Sequence, residues 1–256
     1  MASSKRLAVF DFDWSLIDAN SDVWIFDDLS KDLSLKITAL HRQLQWTDLI
    51  DLLLGELYQK GINKEQIQES LAKIPFSPSM IETLRVMKNG NADIIILSDA
   101  NSIFIETILN AYGVHHLVSA IITNPAAWDE NGRLRVQRLI KATDEPHNCL
   151  NDCSVNMCKG RELEIYLASS PVKYDKVFYV GDSVNDFCPA TKMTSNDTVL
   201  VRKGFRLEKY LNDKLSATTK IKSKIVYWND AENILQIIKN EFANEELQIS
   251  RNRNVR

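Results

Sequence analysis

No apolar run in this sequence reaches the roughly 18 residues that a membrane-spanning helix needs, so a chain threaded through a bilayer as a helix is not expected. A basic excess is missing too. Thirty-one Lys and Arg stand against 34 Asp and Glu, for a net charge of −3. Neither nucleic acid nor an anionic membrane surface would find its electrostatic footprint here, and a small molecule is the expected partner. Cysteine is scarce: four in 256 residues do not make a disulfide scaffold. The start, Met1 to Arg6, runs straight into a short apolar segment and lacks the longer apolar stretch of a signal peptide. A cytoplasmic location is the expectation. Internal repeats are also lacking.

What is present is an ordinary globular composition, 45% hydrophobic and 25% charged, at a length that suits a core domain carrying a smaller one. Short continuous apolar runs recur at Leu7–Phe10, Ile94–Leu97, Ala120–Ile122, Val177–Val180 and Thr198–Val201. Each stops at a polar cluster, as buried parallel strands do. Helical spacing fills the gaps: Phe104, Ile105, Ile108, Leu109 and Tyr112 share a face, and Gly113 is placed to end that helix. Alternating strands and helices predict an α/β fold, a doubly wound, Rossmann-like parallel sheet. Ligands of such sheets bind beyond the carboxyl ends of the strands.

One stretch breaks the alternation. From 21 to 76 the pattern is helical throughout, and Ile74-Pro75-Phe76-Ser77-Pro78 reads as its return hinge. The expected division is a discontinuous α/β core over 1–20 and 77–243, with a helical unit over 21–76. A flexible polar tail over 244–256 completes it. Trp128 to Leu134 reads as a hairpin turning at Asn131-Gly132.

The chemistry gathers at the predicted strand ends. Asp11 and Asp13 flank Phe12 directly after the first strand, and an i, i+2 pair on extended chain points one way. Two such carboxylates repel each other unless a cation or a shared proton intervenes, and Mg²⁺ is the simplest remedy. Ser98 and Asp99 end the next run. Gly181-Asp182-Ser183-Val184-Asn185-Asp186 follows a later one and adds two carboxylates, while Lys159 supplies a cation at a predicted helix start. These are parts for nucleophilic attack on a phosphoryl group: Asp11 as nucleophile, a metal to neutralise charge, Lys159 and Ser98 to hold phosphate oxygens.

Asp11-Phe12-Asp13-Trp14-Ser15-Leu16, Ser98, Lys159 and Gly181-Asp182-Ser183-x-Asn185-Asp186 resemble the four ordered motifs of haloacid-dehalogenase (HAD) phosphatases. More narrowly, Asp18-x-Asn20-Ser21-Asp22, Ser98-Asp99-Ala100-Asn101, Asn156-Met157-Cys158-Lys159-Gly160 and Asn185-Asp186-Phe187-Cys188-Pro189 resemble the phosphoethanolamine/phosphocholine phosphatases, which have animal members and phosphate-starvation-induced plant relatives. The resemblance implies a mobile helical cap at 21–76 and catalysis by Asp11 and Asp13 through an aspartyl-phosphate. It also implies one Mg²⁺ held by the Asp11 carboxylate, the Asp13 main-chain carbonyl and Asp182, with Asp186 acting as a further ligand or through water. Trp14, Ser15 and Ser183 depart from the residues usual in that pattern.

Selectivity would come from Asp22 and Asp99 facing a cationic headgroup, with Trp14 and Trp24 as aromatic partners. Phosphocholine and phosphoethanolamine are thus the first expected substrates, with pyrophosphate, pyridoxal phosphate, thiamine monophosphate and phosphoserine as alternatives. A phospho-acceptor domain or a silent binding protein is disfavoured by Asp13 and by the intact carboxylate set. Finally, His147, Cys149, Cys153 and Cys158 form a loosely spaced ligand set, a candidate structural Zn²⁺ site. Cys188 is expected to pack behind the fourth motif.

Overall fold

The computed structural model describes residues 5–213 and 218–254, with side chains described up to residue 242. Its centre is a six-stranded sheet. The strands are β1 (Arg6–Phe10), β2 (Ala92–Asn101), β3 (Ala120–Asn124), β6 (Lys176–Gly181), β7 (Thr198–Arg202) and β8 (Lys224–Trp228). They lie in the order β3-β2-β1-β6-β7-β8, every pair parallel. The two remaining strands, β4 (Ala126–Trp128) and β5 (Leu134–Val136), form the expected antiparallel hairpin, with Gly132 at a φ of 82° in its turn.

Side-chain alternation along the strands builds two cores. Ala8, Phe10, Ile94, Ile96, Phe178, Val180 and Leu200 face one side; Leu7, Val9, Ile95, Leu97, Val177, Tyr179 and Val199 face the other. Both faces must then be covered, which is why the strands read as continuous apolar runs. On the first side lie α5 (Pro78–Asn89), α6 (Ser102–Ala111) and α10 (Ala231–Asn254). On the second lie α7 (Lys159–Ser169), α8 (Phe187–Ala190) and α9 (Arg206–Asp213). Pro78 opens α5 at its first position, where a missing N–H costs nothing. A Cβ on Gly90 would fall 2.1 Å from the Phe242 ring, so glycine lets α10 close on the end of α5.

Between β1 and α5 the chain forms α1 (Ser21–Leu29), α2 (Lys31–Leu40), α3 (Trp46–Gln59) and α4 (Lys64–Leu71). Its outgoing and returning chains meet where the Asp18 N–H donates to the Pro75 carbonyl at 3.0 Å. Helix α10 runs on through Asn254, across most of the stretch expected as a flexible tail; residues 255–256 lie outside the described residues. Strand β8 carries the apolar run Ile225-Val226-Tyr227-Trp228, which the runs read from the sequence passed over. It lies at the sheet edge with most of its side chains half-exposed. No helix among the described residues is long and apolar enough to cross a membrane.

The chain runs from β1 outward to β2 and β3, then crosses back to β6 and on to β7 and β8. The direction reverses at β1/β6, and beyond the carboxyl ends of these two strands lies the crevice where doubly wound sheets bind ligands.

Candidate active site

Asp11 is the first residue past β1, and its N–H donates to the Val180 carbonyl of β6 at 2.9 Å. The carboxylate is buried. Its Oδ1 accepts from the Phe12 N–H at 2.7 Å and pairs with the Lys159 Nζ at 2.7 Å. Lys159 is itself fully buried at the first position of α7, and its ammonium also reaches Asp186 Oδ1 at 2.8 Å. Burial disfavours that ammonium, but Asp11, Asp186 and Asp99 outweigh it and hold the lysine firmly charged.

Asp186 is braced on every side. Oδ1 takes Lys159 and the Tyr179 hydroxyl at 2.8 Å, and Oδ2 takes the Asp182 and Ser183 N–H groups at 3.0 Å. Four donors fill the acceptor capacity of one carboxylate. A Cβ on Gly181 would come 2.6 Å from Asp186 Cγ, so glycine is required at the end of β6 for this carboxylate to fold back. Asp182 accepts from the Ser15 hydroxyl at 3.3 Å.

One carboxylate oxygen from each of Asp11, Asp182 and Asp186 lies within 4.8 Å of the others. Three carboxylates against one ammonium leave two negative charges in a buried place, a donor set that fits a hard divalent cation. Alone, the cluster holds on to protons instead. Burial and then Asp186 raise Asp11 well above the carboxylate range and Asp182 to about 7. The Asp13 carboxylate is not in this cluster. It turns toward α1, where Oδ1 accepts from the Ser21 N–H at 2.9 Å, and burial followed by Asp22 pushes it up to about 8.

A cleft of about 450 Å³ opens here and brings Asp11, Asp13, Asp22, Asp99 and Asp182 onto one wall system. Lys159 and Asp186 do not line it; Lys159 meets its wall through Asp11, and Asp186 through the Asp182 N–H. Ser98 is fully buried, and its Oγ accepts the Ala100 N–H at 3.2 Å; it does not line the cleft. Asp22 accepts from the Trp46 indole N–H at 2.7 Å, and burial raises it to about 7. Asn20 caps α1, accepting the Val23 N–H at 2.9 Å. Asp99 accepts from Asn185 Nδ2 at 3.1 Å.

Four lining residues escaped the sequence reading as site residues: Trp46, Asp152, Ser154 and Arg206. Trp46 takes the place expected of Trp24, whose indole N–H instead donates to the Ser70 carbonyl at 3.0 Å. No local motif marks any of the four. Trp14 lies in the left-handed region at φ 58°, unusual for a bulky residue, with its ring 5.8 Å from Phe205. Its N–H donates to the Ala19 carbonyl at 3.0 Å, and Arg202 donates to its carbonyl. The loop is over-determined by bonds at both ends, which is how such a backbone persists. Trp14 forms a wall of the cleft and does not fill it.

The expected zinc set is corrected. His147 Nε2 lies 2.9 Å from the Ser154 carbonyl, and Nδ1 accepts the Cys149 N–H at 3.0 Å. Both ring nitrogens close the loop locally, so the imidazole stands apart. Cys149, Cys153 and Cys158 gather instead around Cys188.

The model of a family described as Putative Phosphatase matches residues 6–241. The chain is 34% identical over 240 residues to pyridoxal phosphate phosphatase PHOSPHO2 of Bos taurus, covering 91% of this chain and 97% of that protein. It is 34% identical over 245 residues to inorganic pyrophosphatase 2 of Arabidopsis thaliana, covering 93% and 84%. Among solved structures, a HAD family hydrolase of Salmonella enterica aligns with a TM-score of 0.61 at 17% identity, over 93% of this chain and 72% of that one.

Proposed function

This chain belongs to the Putative Phosphatase family of HAD phosphatases, and from that premise we propose that it is a Mg²⁺-dependent phosphatase that cleaves a small, cation-bearing phosphomonoester through an aspartyl-phosphate on Asp11. The observation that carries the reading is the Asp11 carboxylate, buried, gripped at Oδ1 by Lys159 and Phe12 N–H, and facing a cleft. An oxygen so oriented attacks phosphorus while the phosphate–alcohol bond breaks. Asp13, raised to about 8 and therefore protonated at neutral pH, gives its proton to the departing alkoxide. The resulting Asp13 carboxylate then takes a proton from water, whose oxygen displaces Asp11 and releases inorganic phosphate. Ser98 and Lys159 hold phosphate oxygens in this scheme, Ser98 after its hydroxyl leaves the Ala100 N–H.

The Asp11 carboxylate, the Asp13 carbonyl and Asp182 would hold the ion, which when bound neutralises charge on the transferring phosphoryl group. The four donors already on Asp186 favour a bracing role for it, or one through water. Residues 21–76 act as the cap over a core of 1–20 and 77–243, hinged where Asp18 meets Pro75. Because Ser21 and Asp22 of the first cap helix fix and tune Asp13, cap position and acid strength are linked.

Six aspartates and one arginine line the cleft. Beyond those assigned to catalysis and metal, Asp22, Asp99 and Asp152 remain, beside Trp14 and Trp46. Carboxylates and aromatic faces favour a cationic nitrogen, as in phosphocholine, phosphoethanolamine or the ring nitrogens of pyridoxal phosphate and thiamine monophosphate. The name of the bovine relative agrees with that class, and the name of the plant pyrophosphatase does not.

The test is phosphate release from these four esters, phosphoserine and pyrophosphate, with Mg²⁺ and with EDTA. Release that needs Mg²⁺ and is fastest on cationic esters is expected. Pyrophosphate as the best substrate would overturn the cationic preference, and full activity in EDTA would overturn the metal.

A further inference from the structure

Four thiols that the proposed chemistry does not use meet at one point. Cys149 and Cys153 come from the loop 137–158, which holds no helix or strand; Cys158 caps α7; Cys188 comes from α8. Their sulfurs stand 3.5 Å apart for Cys149 and Cys188, and 3.6 Å for Cys158 and Cys188. Cys153 lies 3.7 Å from Cys149 and 3.6 Å from Cys158. All four lie within 4.8 Å of one another. Sulfurs at the corners of a tetrahedron about a Zn²⁺ at about 2.3 Å would be spaced by about 3.8 Å. A disulfide would instead draw two of them to about 2.05 Å, and all four cysteines are free.

The surroundings suit thiolate ligands. The Arg161 N–H donates to Cys158 Sγ at 3.4 Å, and Asn151 Nδ2 donates to Cys188 Sγ at 3.3 Å. N–H groups aimed at sulfur hold metal-bound thiolates in place. Gly160 is shaped for the same purpose: a Cβ there would lie 2.6 Å from Cys188 Sγ, so only glycine lets the first turn of α7 approach α8 this closely.

We propose that Cys149, Cys153, Cys158 and Cys188 form a structural zinc site that clasps the long loop to the two segments carrying Lys159 and Asp186. Four sulfur ligands in a closed tetrahedral set leave no open position for catalysis, and soft thiolates at that geometry select Zn²⁺ over Mg²⁺. Metal binding releases the thiol protons to solvent, and the ion is the only addition. The clasp has a clear mechanical role. Cys158 immediately precedes Lys159, Cys188 follows Asp186 by two positions, and the Asp152–Ser154 turn lines the substrate cleft.

The experiment is elemental analysis of the full-length protein after a brief EDTA wash, which strips carboxylate-bound ions but spares a four-thiolate site. About one zinc per chain is expected. In parallel, Co²⁺ exchange into the unaltered protein should give the visible bands and sulfur-to-metal charge transfer of a tetrahedral thiolate site. Cys188→Ser should lose at least nine-tenths of the zinc while Asp11→Asn retains it, so the result stands apart from any phosphatase assay. Four freely reacting thiols with no zinc or cobalt uptake in the unaltered protein would overturn the proposal. So would an intact mass showing disulfides, or iron in place of zinc.

Discussion

The carboxylates around Asp11 and the thiols around Cys188 are joined by the first turn of α7, yet they face different electrostatic demands. Carboxylates are ionised at neutral pH in water, so three in one buried place need Lys159, the Tyr179 hydroxyl and backbone N–H groups even to approach neutrality. Around Cys188 the thiols share their protons: hydrogen bonds led by that from Cys153 draw Cys188 down to about 5, the same contact raises Cys153, and burial raises Cys158. The first cluster is therefore a concentration of like charge that responds to pH; the second spreads its protons over four soft sulfurs that lie within 4.8 Å of one another. A site for turnover and a site for architecture differ in this, although both are built from the same two chain segments.

Lys159→Met breaks the comparison hardest. It leaves three buried carboxylates with no cation, and losing one partner of such a group costs about 3–5 kcal/mol. Turnover should fall by at least about a hundredfold. The melting temperature should drop more at pH 8 than at pH 5.5, because protons substitute for the lysine only in acid. Equal losses at both pH values would mean that the lysine acts by packing alone.

Asp22→Asn sharpens the comparison more gently. Folding raises Asp22 to about 7 from an ordinary value near 3.8. Between those values the folded state binds the extra proton, so stability falls as pH rises through this window, and the loss is complete above it. Asparagine keeps an acceptor for the Trp46 indole and removes the charge. The variant should melt a few degrees above the parent at pH 8 and equal it near pH 4, while KM rises for cationic esters. An unchanged melting temperature at pH 8 would show that Asp22 carries its charge at no cost.

Much of this was legible before the structure. A parallel strand buried on both faces must be an unbroken apolar run, so β1, β2, β6 and β7 announce themselves, and the residues after them mark the crevice. Asp11, Asp182 and Asp99 follow from that logic. Edge strand β8 has the same signal in Ile225–Trp228 and was passed over. Contacts set by tertiary packing were hidden. Trp46 meets Asp22 from another helix, and Cys188 reaches Cys149 across 39 positions. His147 looked equivalent to a cysteine by spacing, but its ring is consumed by the turn it closes. Ser98 was expected at its strand end; it lies inside β2, which runs on to Asn101, and its hydroxyl is turned to the backbone.

The central claim is that Asp11 carries the phosphoryl group. Asparagine at this position should leave the fold intact, because burial already disfavours the charged form. The direct test is rapid acid quench of enzyme with its best ester and Mg²⁺, followed by intact mass and peptide mapping. The account predicts one phosphoryl group on Asp11 in the parent protein. In Asp11→Asn it predicts no adduct and no turnover, at an undiminished melting temperature. Substantial turnover by that folded variant would contradict it.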